Sequence, residues 1–302
     1  MTGPQWAPEH VVEAAEAAGL IGAQFPELRG APVEALATGW DNTVHLVDRC
    51  WVFRFPRRAV AVPGVAREIA VLPRLAPRLS LPVPVPELVG HPADGYPWPF
   101  WGARLVPGVE LADAGLPDAE RVPAAAGVGA FLRALHDVEP AGFTLPWDPM
   151  RRGDPPTRAG KAREALDRLA EKGVWTPDPA VEALLSAAAR ASAPDGPTVV
   201  VHGDLHIRHV LVDGGGRPAG VIDWGDLCLA DPAVDLSLAY GGFAGAARAA
   251  LLSAYGPVPP ERELAARVLA VSLCASLAEY AAADDRPVLL AEALAGLRRA
   301  VG

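Results

Sequence analysis

Hydrophobic and polar positions change rhythm about a third of the way along the chain. Residues 9–24 read as an acidic amphipathic helix, with apolar positions at helical spacing. From 33 to 57 the period shortens. A β-like run at 33–37 leads into the polar turn Thr38-Gly39-Trp40-Asp41-Asn42. An alternating run follows at 43–47, then the turn Asp48-Arg49, then an aromatic and β-branched run at 50–55. Three strands in this order predict an antiparallel meander. A helix is expected over 64–72, ended or kinked by Pro73. The segment Leu81-Pro82-Val83-Pro84-Val85-Pro86 reads as extended chain, and strand-like pieces return at 87–90 and 98–106.

After Pro107-Gly108 the texture turns helical. Ala- and Leu-rich stretches with helical period cover 118–137, 158–172, 179–192, 244–254, 261–283 and 287–300. One β-rich island interrupts them, with short runs at 198–201, 210–212 and 220–224. A Gly-rich turn from Asp213 to Pro218 joins the last two. The pattern predicts an α+β protein with a small β-rich lobe over 1–106 and a larger, mainly helical lobe over 107–302.

Composition narrows the function classes. The 302 residues are 51% hydrophobic, enough for a large core, and a net charge of −9 argues against nucleic acid or an anionic membrane as partner. The longest charge-free stretch is twelve residues, so no bilayer span is expected. The first twenty residues hold no Lys or Arg, unlike a signal peptide. Cys50, Cys228 and Cys274 are odd in number and far apart, which fits reduced thiols in a cytoplasmic monomer. Only Lys161 and Lys172 among the 27 basic residues are lysines, so no lysine precedes 161.

Chemistry concentrates in residues 201–235, VHGDLHIRHVLVDGGGRPAGVIDWGDLCLADPAVD, where six aspartates face two arginines. Asp204 and Asp223 end apolar β runs, with His209 between them. Two carboxylates held this way suit a metal-dependent transfer, one orienting and deprotonating a nucleophile while the other holds a cation. An aspartate after a strand is more often a cap or turn former. It is the combination of HGD turn, hairpin, second strand ending in Asp, and DPAVDL that favours catalysis.

His202-Gly203-Asp204, then Ile222-Asp223-Trp224 and Asp231-Pro232, resemble the aminoglycoside phosphotransferase family of small-molecule kinases, over nearly the whole chain. The resemblance implies a protein-kinase-like bilobal fold, with Asp204 as the base accepting the acceptor hydroxyl's proton and Asp223 as a Mg²⁺ ligand. Five residues after Asp204 the family usually has Asn; here it is His209. Imidazole is a poorer partner for the hard Mg²⁺ ion, so His209 acts through a water or Asp223 carries more of the coordination. That histidine, with Gly39-Trp40-Asp41-Asn42 and Trp51 to Arg58, is closest in motif to macrolide phosphotransferases.

In the amino-terminal lobe the resemblance gives the kinase lysine's place to Arg54, with Glu68 on the following helix as its ion-pair partner; arginine can engage phosphate bidentately. Residues 38–43 take the place of the phosphate-covering loop, with Asn42 near the phosphates. Leu105 and Val106 fall where backbone groups would pair with the base of ATP or GTP. Residues 141–200 hold eight acids and eight bases, and 238–302 six of each. A neutral cap with Trp147, Trp175, Tyr240, Phe243, Tyr255 and Tyr280 leans the expected acceptor toward a macrolide. The alternatives are an aminoglycoside or other cationic antibiotic, a metabolite alcohol or amino sugar, or a catalytically silent kinase-like binding protein.

Overall fold

The computed structural model describes residues 8–39 and 41–302. Trp40, part of the motif read above, lies outside the described residues. The chain divides into two compact units: one holds the chain up to Pro77 with Pro82–Val106, the other Arg78–Leu81 with Pro107–Gly302.

The first unit is a sheet with two helices. Helix α1 (Ala14–Gln24) leads into β1 (Val33–Thr38), β2 (Asn42–Val47) and β3 (Trp51–Pro56); α2 (Val62–Leu75), β4 (Leu88–Gly90) and β5 (Phe100–Arg104) follow. The strands order as β1-β2-β3-β5-β4, all pairings antiparallel. The alternation read in β2 is real: Thr43, His45 and Val47 are buried between half-buried neighbours. Asp48 and Arg49 both take positive φ (49° and 56°), the left-handed pair that matches the twist of a tight hairpin. Phe53, Phe55, Tyr96 and Phe100 form the core with Val47 and Ile21, and Phe55 stacks on Phe100 at 4.5 Å. Gly102 is required by that packing, because a Cβ there would stand 2.6 Å from the Phe53 ring.

Pro73, expected to end or kink α2, does not end it. The helix runs two residues further, and the fully buried Leu72 and Leu75 anchor its last turn against the loss of one backbone hydrogen bond.

The second unit is mainly helical. After β6 (Val109–Glu110) come α3 (Val122–His136), α4 (Pro155–Glu171) and α5 (Pro179–Ala188). The island follows as β7 (Val199–Val201), β8 (Val210–Val212), β9 (Pro218–Val221) and β10 (Cys228–Ala230). Then come α6 (Ala233–Gly241), α7 (Gly245–Tyr255), α8 (Pro260–Ala283) and α9 (Pro287–Val301). The β8–β9 hairpin has β6 on its outer side, and β10 pairs with β7. The side chain of Asp213 accepts from the N–H groups of Gly215 and Arg217, closing the hairpin turn. Helix α6 was invisible to periodicity because all nine of its residues are buried, leaving no polar face to set a period. Helix α8 is long and apolar enough to cross a membrane by composition alone. Most of its apolar window is buried against α4, α6 and α9, so those side chains serve the core of this unit.

Candidate active site

The loop from His202 to His209 joins β7 to β8, and its shape is fixed from beneath. Asp235, fully buried on α6, accepts hydrogen bonds from the backbone N–H of His202 at 2.8 Å and of Gly203 at 3.0 Å. His136 of α3 approaches the same carboxylate at 3.2 Å, and its other nitrogen meets the Tyr255 hydroxyl at 2.9 Å. Gly203 has φ of 92°, and a Cβ there would lie 2.2 Å from the carbonyl oxygen of Asp226. The His202 ring is held by Ile222 and the chain itself. The Ile222 carbonyl can only accept, so Nε2 carries the proton, and Nδ1 accepts the Asp204 N–H. Burial drives the His202 pKa down to about 4, so this ring is a neutral strut.

Asp204 sits on that braced turn with 29% of its side chain accessible. Burial raises its pKa to about 6; His209 and Arg152 oppose the rise, while Asp226 and Asp223 add to it. Those values suit a base that must take a proton near neutral pH. His206 and His209 flank the carboxylate, at 3.7 and 4.0 Å from its Oδ2, with their rings stacked at 3.9 Å. The His209 Nδ1 donates to the Asp204 carbonyl oxygen at 2.7 Å, which leaves the Nε2 lone pair facing Asp223 Oδ2 at 3.5 Å. Asp223 follows β9 in the left-handed region, with φ of 67°, at a sharp turn that lifts its carboxylate out of the strand.

Sequence reasoning missed several neighbours. Arg152 is nearly buried and joins Asp148 Oδ1 at 3.2 Å to Asp226 Oδ1 at 2.8 Å, tying the segment before α4 to the one after Asp223. Arg208 pairs with Glu110 at 3.0 Å, and its guanidinium lies 5.6 Å from the Tyr280 ring; Arg286 lies 6.0 Å from the same ring. His206 and Asp235 stood in the motif itself, but only the fold shows what they face. Of the aromatics read as a cap, Tyr240, Phe243 and Tyr255 are buried in the core, whereas Trp147 is 67% exposed. An aromatic at helical spacing is usually core, and these three are.

Within the first unit, Arg54 and Glu68 do meet. Arg54 Nη1 stands 3.3 Å from Glu68 Oε1, both side chains almost fully buried, and the Trp101 indole donates to Glu68 Oε2 at 3.1 Å. Asn42 opens β2, and its backbone carbonyl accepts the Gly39 N–H, closing the turn. Arg57 and Arg58 clamp this turn through the Gly39 carbonyl and Asp41. Of the two connector residues proposed to face a base, Leu105 has its N–H committed to the Cys50 carbonyl at 2.9 Å. That removes Leu105 as the donor and leaves the expectation on Val106.

The "Phosphotransferase enzyme family" model matches residues 32–266. The aminoglycoside 3'-phosphotransferase of Streptomyces fradiae is 34% identical over 164 residues, 52% of this chain and 58% of that protein. The chain thus spans little more than half the length of that curated relative. Among solved structures, the GDP complex of wild-type aminoglycoside 2'-phosphotransferase-IIIa superposes with a TM-score of 0.67, at 22% identity, over 95% of this chain and 98% of that one. Macrolide 2'-phosphotransferase type I does so at 0.57, with 25% identity, over 95% and 98%. These likenesses carry the α+β, protein-kinase-like fold expected from the sequence. With the family model covering well over half of the chain, and the HGD turn, Asp223 and Asp231 all inside the matched span, the chain belongs to the phosphotransferase enzyme family.

Proposed function

We propose that this chain is a small-molecule kinase that transfers the γ-phosphoryl group of ATP or GTP to a hydroxyl of an antibiotic-class acceptor. The observation that carries the reading is the Asp204–His209–Asp223 constellation: a carboxylate with a raised pKa on a braced turn, beside a histidine lone pair aimed at a second carboxylate. Asp204 orients the acceptor hydroxyl and takes its proton as the oxygen–phosphorus bond forms. His202, Gly203 and Asp235 hold that carboxylate in register. Asp223 and His209 fit a divalent cation: one hard carboxylate oxygen beside an imidazole whose other nitrogen is fixed on a backbone carbonyl, the usual support of a ligating histidine. Mg²⁺ bound there supplies charge neutralisation for the nucleotide phosphates.

Arg54 is assigned to the nucleotide phosphates, held by Glu68 as the kinase lysine is held by its glutamate. Removing Arg54 outright would take the ion-pair partner from the buried Glu68 carboxylate, at a cost of about 3–5 kcal/mol. The cleaner test is Arg54→Lys, which keeps the charge and loses the planar fork. Titration calorimetry should show weaker nucleotide binding with Tm little changed; unaltered affinity would move the phosphate contact elsewhere. Val106 and Asn42 are proposed to contact the base and the phosphates.

The acceptor stays at the level of hydroxyl-bearing antibiotics. Relatives named for both aminoglycosides and macrolides match, so the charge reading toward a macrolide gains no support from them. A panel of macrolides, aminoglycosides and amino-sugar metabolites, each assayed with ATP and with GTP and read by product mass, should show one class gaining a single phosphate. No phosphorylated product across the panel would sink the kinase assignment in favour of a silent binding protein.

A further inference from the structure

We propose that Asp204, His206 and His209 form a second cation site, suited to a transition ion such as Zn²⁺ or Co²⁺, whose occupation withdraws the catalytic carboxylate. Each of the three offers one ligand atom, and the three atoms lie within 4.8 Å of one another. A tetrahedral site with bonds of about 2.0–2.1 Å places its ligand atoms about 3.4 Å apart. The carboxylate Oδ2 is already 3.7 Å from His206 Nε2 and 4.0 Å from His209 Nδ1, the nitrogen that now donates to the Asp204 carbonyl. Its side chain is partly accessible and free to close the remaining distance, whereas the two stacked rings are held in place.

The donor set differs from what Mg²⁺ selects. Mg²⁺ demands near-octahedral oxygen ligands and keeps its waters, while two imidazoles with one carboxylate suit zinc and cobalt. Closing the site has two specific costs: the long Arg208 N–H bond to His206 Nδ1, at 3.3 Å, is released, and His209 gives up its Nδ1 bond to the Asp204 carbonyl, at 2.7 Å, if it ligates through that nitrogen. His209 belongs to both sites, so a transition ion and Mg²⁺ compete for it. The same loop therefore carries an inhibitory mode beside its working one, with His206 as the residue that makes the difference. The inhibitory consequence rests on Asp204 being the base; the metal site does not.

The test is a Co²⁺ titration of the full chain without nucleotide or acceptor, followed by visible absorption. The wild type should give the intense band of four-coordinate cobalt. His206→Gln and His206→Asn should lose that band, with Co²⁺ affinity lowered by at least ~10-fold. Thermal melting shows whether each variant is folded. In the wild type itself, Co²⁺ should displace the ring-proton NMR signals of two histidines. A pale six-coordinate spectrum unaffected by His206→Gln, or displacement of one histidine, would overturn the site. Because this readout needs no turnover, it stands or falls apart from the kinase assignment. In an active assay, micromolar Zn²⁺ should inhibit and excess Mg²⁺ should relieve it; absence of inhibition would overturn the inhibitory role.

Discussion

Asp204→Asn should lower turnover by about 10²–10⁴-fold, the usual contribution of a positioned general base. The exchange is nearly isosteric. The backbone bonds of the turn, from His202 and Gly203 to Asp235 and from His209 to the Asp204 carbonyl, do not involve the side chain that changes. The loss should therefore fall on kcat, while Mg²⁺–nucleotide affinity measured by calorimetry stays within a few-fold. The pH profile sharpens the test. Burial raises the Asp204 pKa to about 6, so below that value the carboxylate carries a proton and cannot accept another. The acid limb of kcat/KM should accordingly bend near pH 6 and fall about tenfold per unit beneath it. An ordinary aspartate would bend near 4. In Asp204→Asn the residual rate should lose that limb. A variant that turns over like the wild type would remove Asp204 from the mechanism, and an unshifted limb near 4 would remove the argument from burial.

What the sequence disclosed and what it withheld follow from the range of the interactions. The HGD turn, the hairpin and Asp223 lie within about twenty residues of one another, so their order and spacing already place them together. The aromatic strand β3 and the alternating β2 were equally legible, because a half-buried sheet writes period two into the chain. Helix α6 was not, since a fully buried helix has no polar stripe. Arg152 gave no signal either: its partners Asp148 and Asp226 come together only through packing of segments some seventy residues apart. The N–H of Leu105 is spent on Cys50 for the same reason, a pairing set by sheet register rather than by its neighbours in sequence. Net charge over a helix likewise says nothing of which side chains face a pocket, and three of the six aromatics enlisted for the acceptor went into the core.

The largest stability effect should come from Asp235, far from any substrate by role yet central to the loop. Its carboxylate is fully buried and satisfies the His202 and Gly203 N–H groups as well as His136. Asp235→Ala strands two backbone donors and a histidine N–H in the interior, each worth about 1–3 kcal/mol, so destabilisation of about 3–5 kcal/mol is expected by chemical denaturation. Asp235→Asn keeps one acceptor oxygen but turns an amide N–H₂ toward a backbone N–H, and should recover only part of the loss. The pH dependence has a definite sign. Burial by itself would raise this carboxyl's pKa, but the hydrogen bonds from His136 and from the His202 backbone N–H hold it below the usual value. A folded-state pKa below the unfolded one gives stability that is complete above about pH 4 and is lost as pH falls through the folded value. The wild type should therefore lose this part of its stability in acid, and Asp235→Ala should lack that component. Both variants should also lose turnover, because this carboxylate anchors the first two amides of the turn that carries Asp204. An Asp235→Ala protein that melts with the wild type would overturn this structural role for the carboxylate.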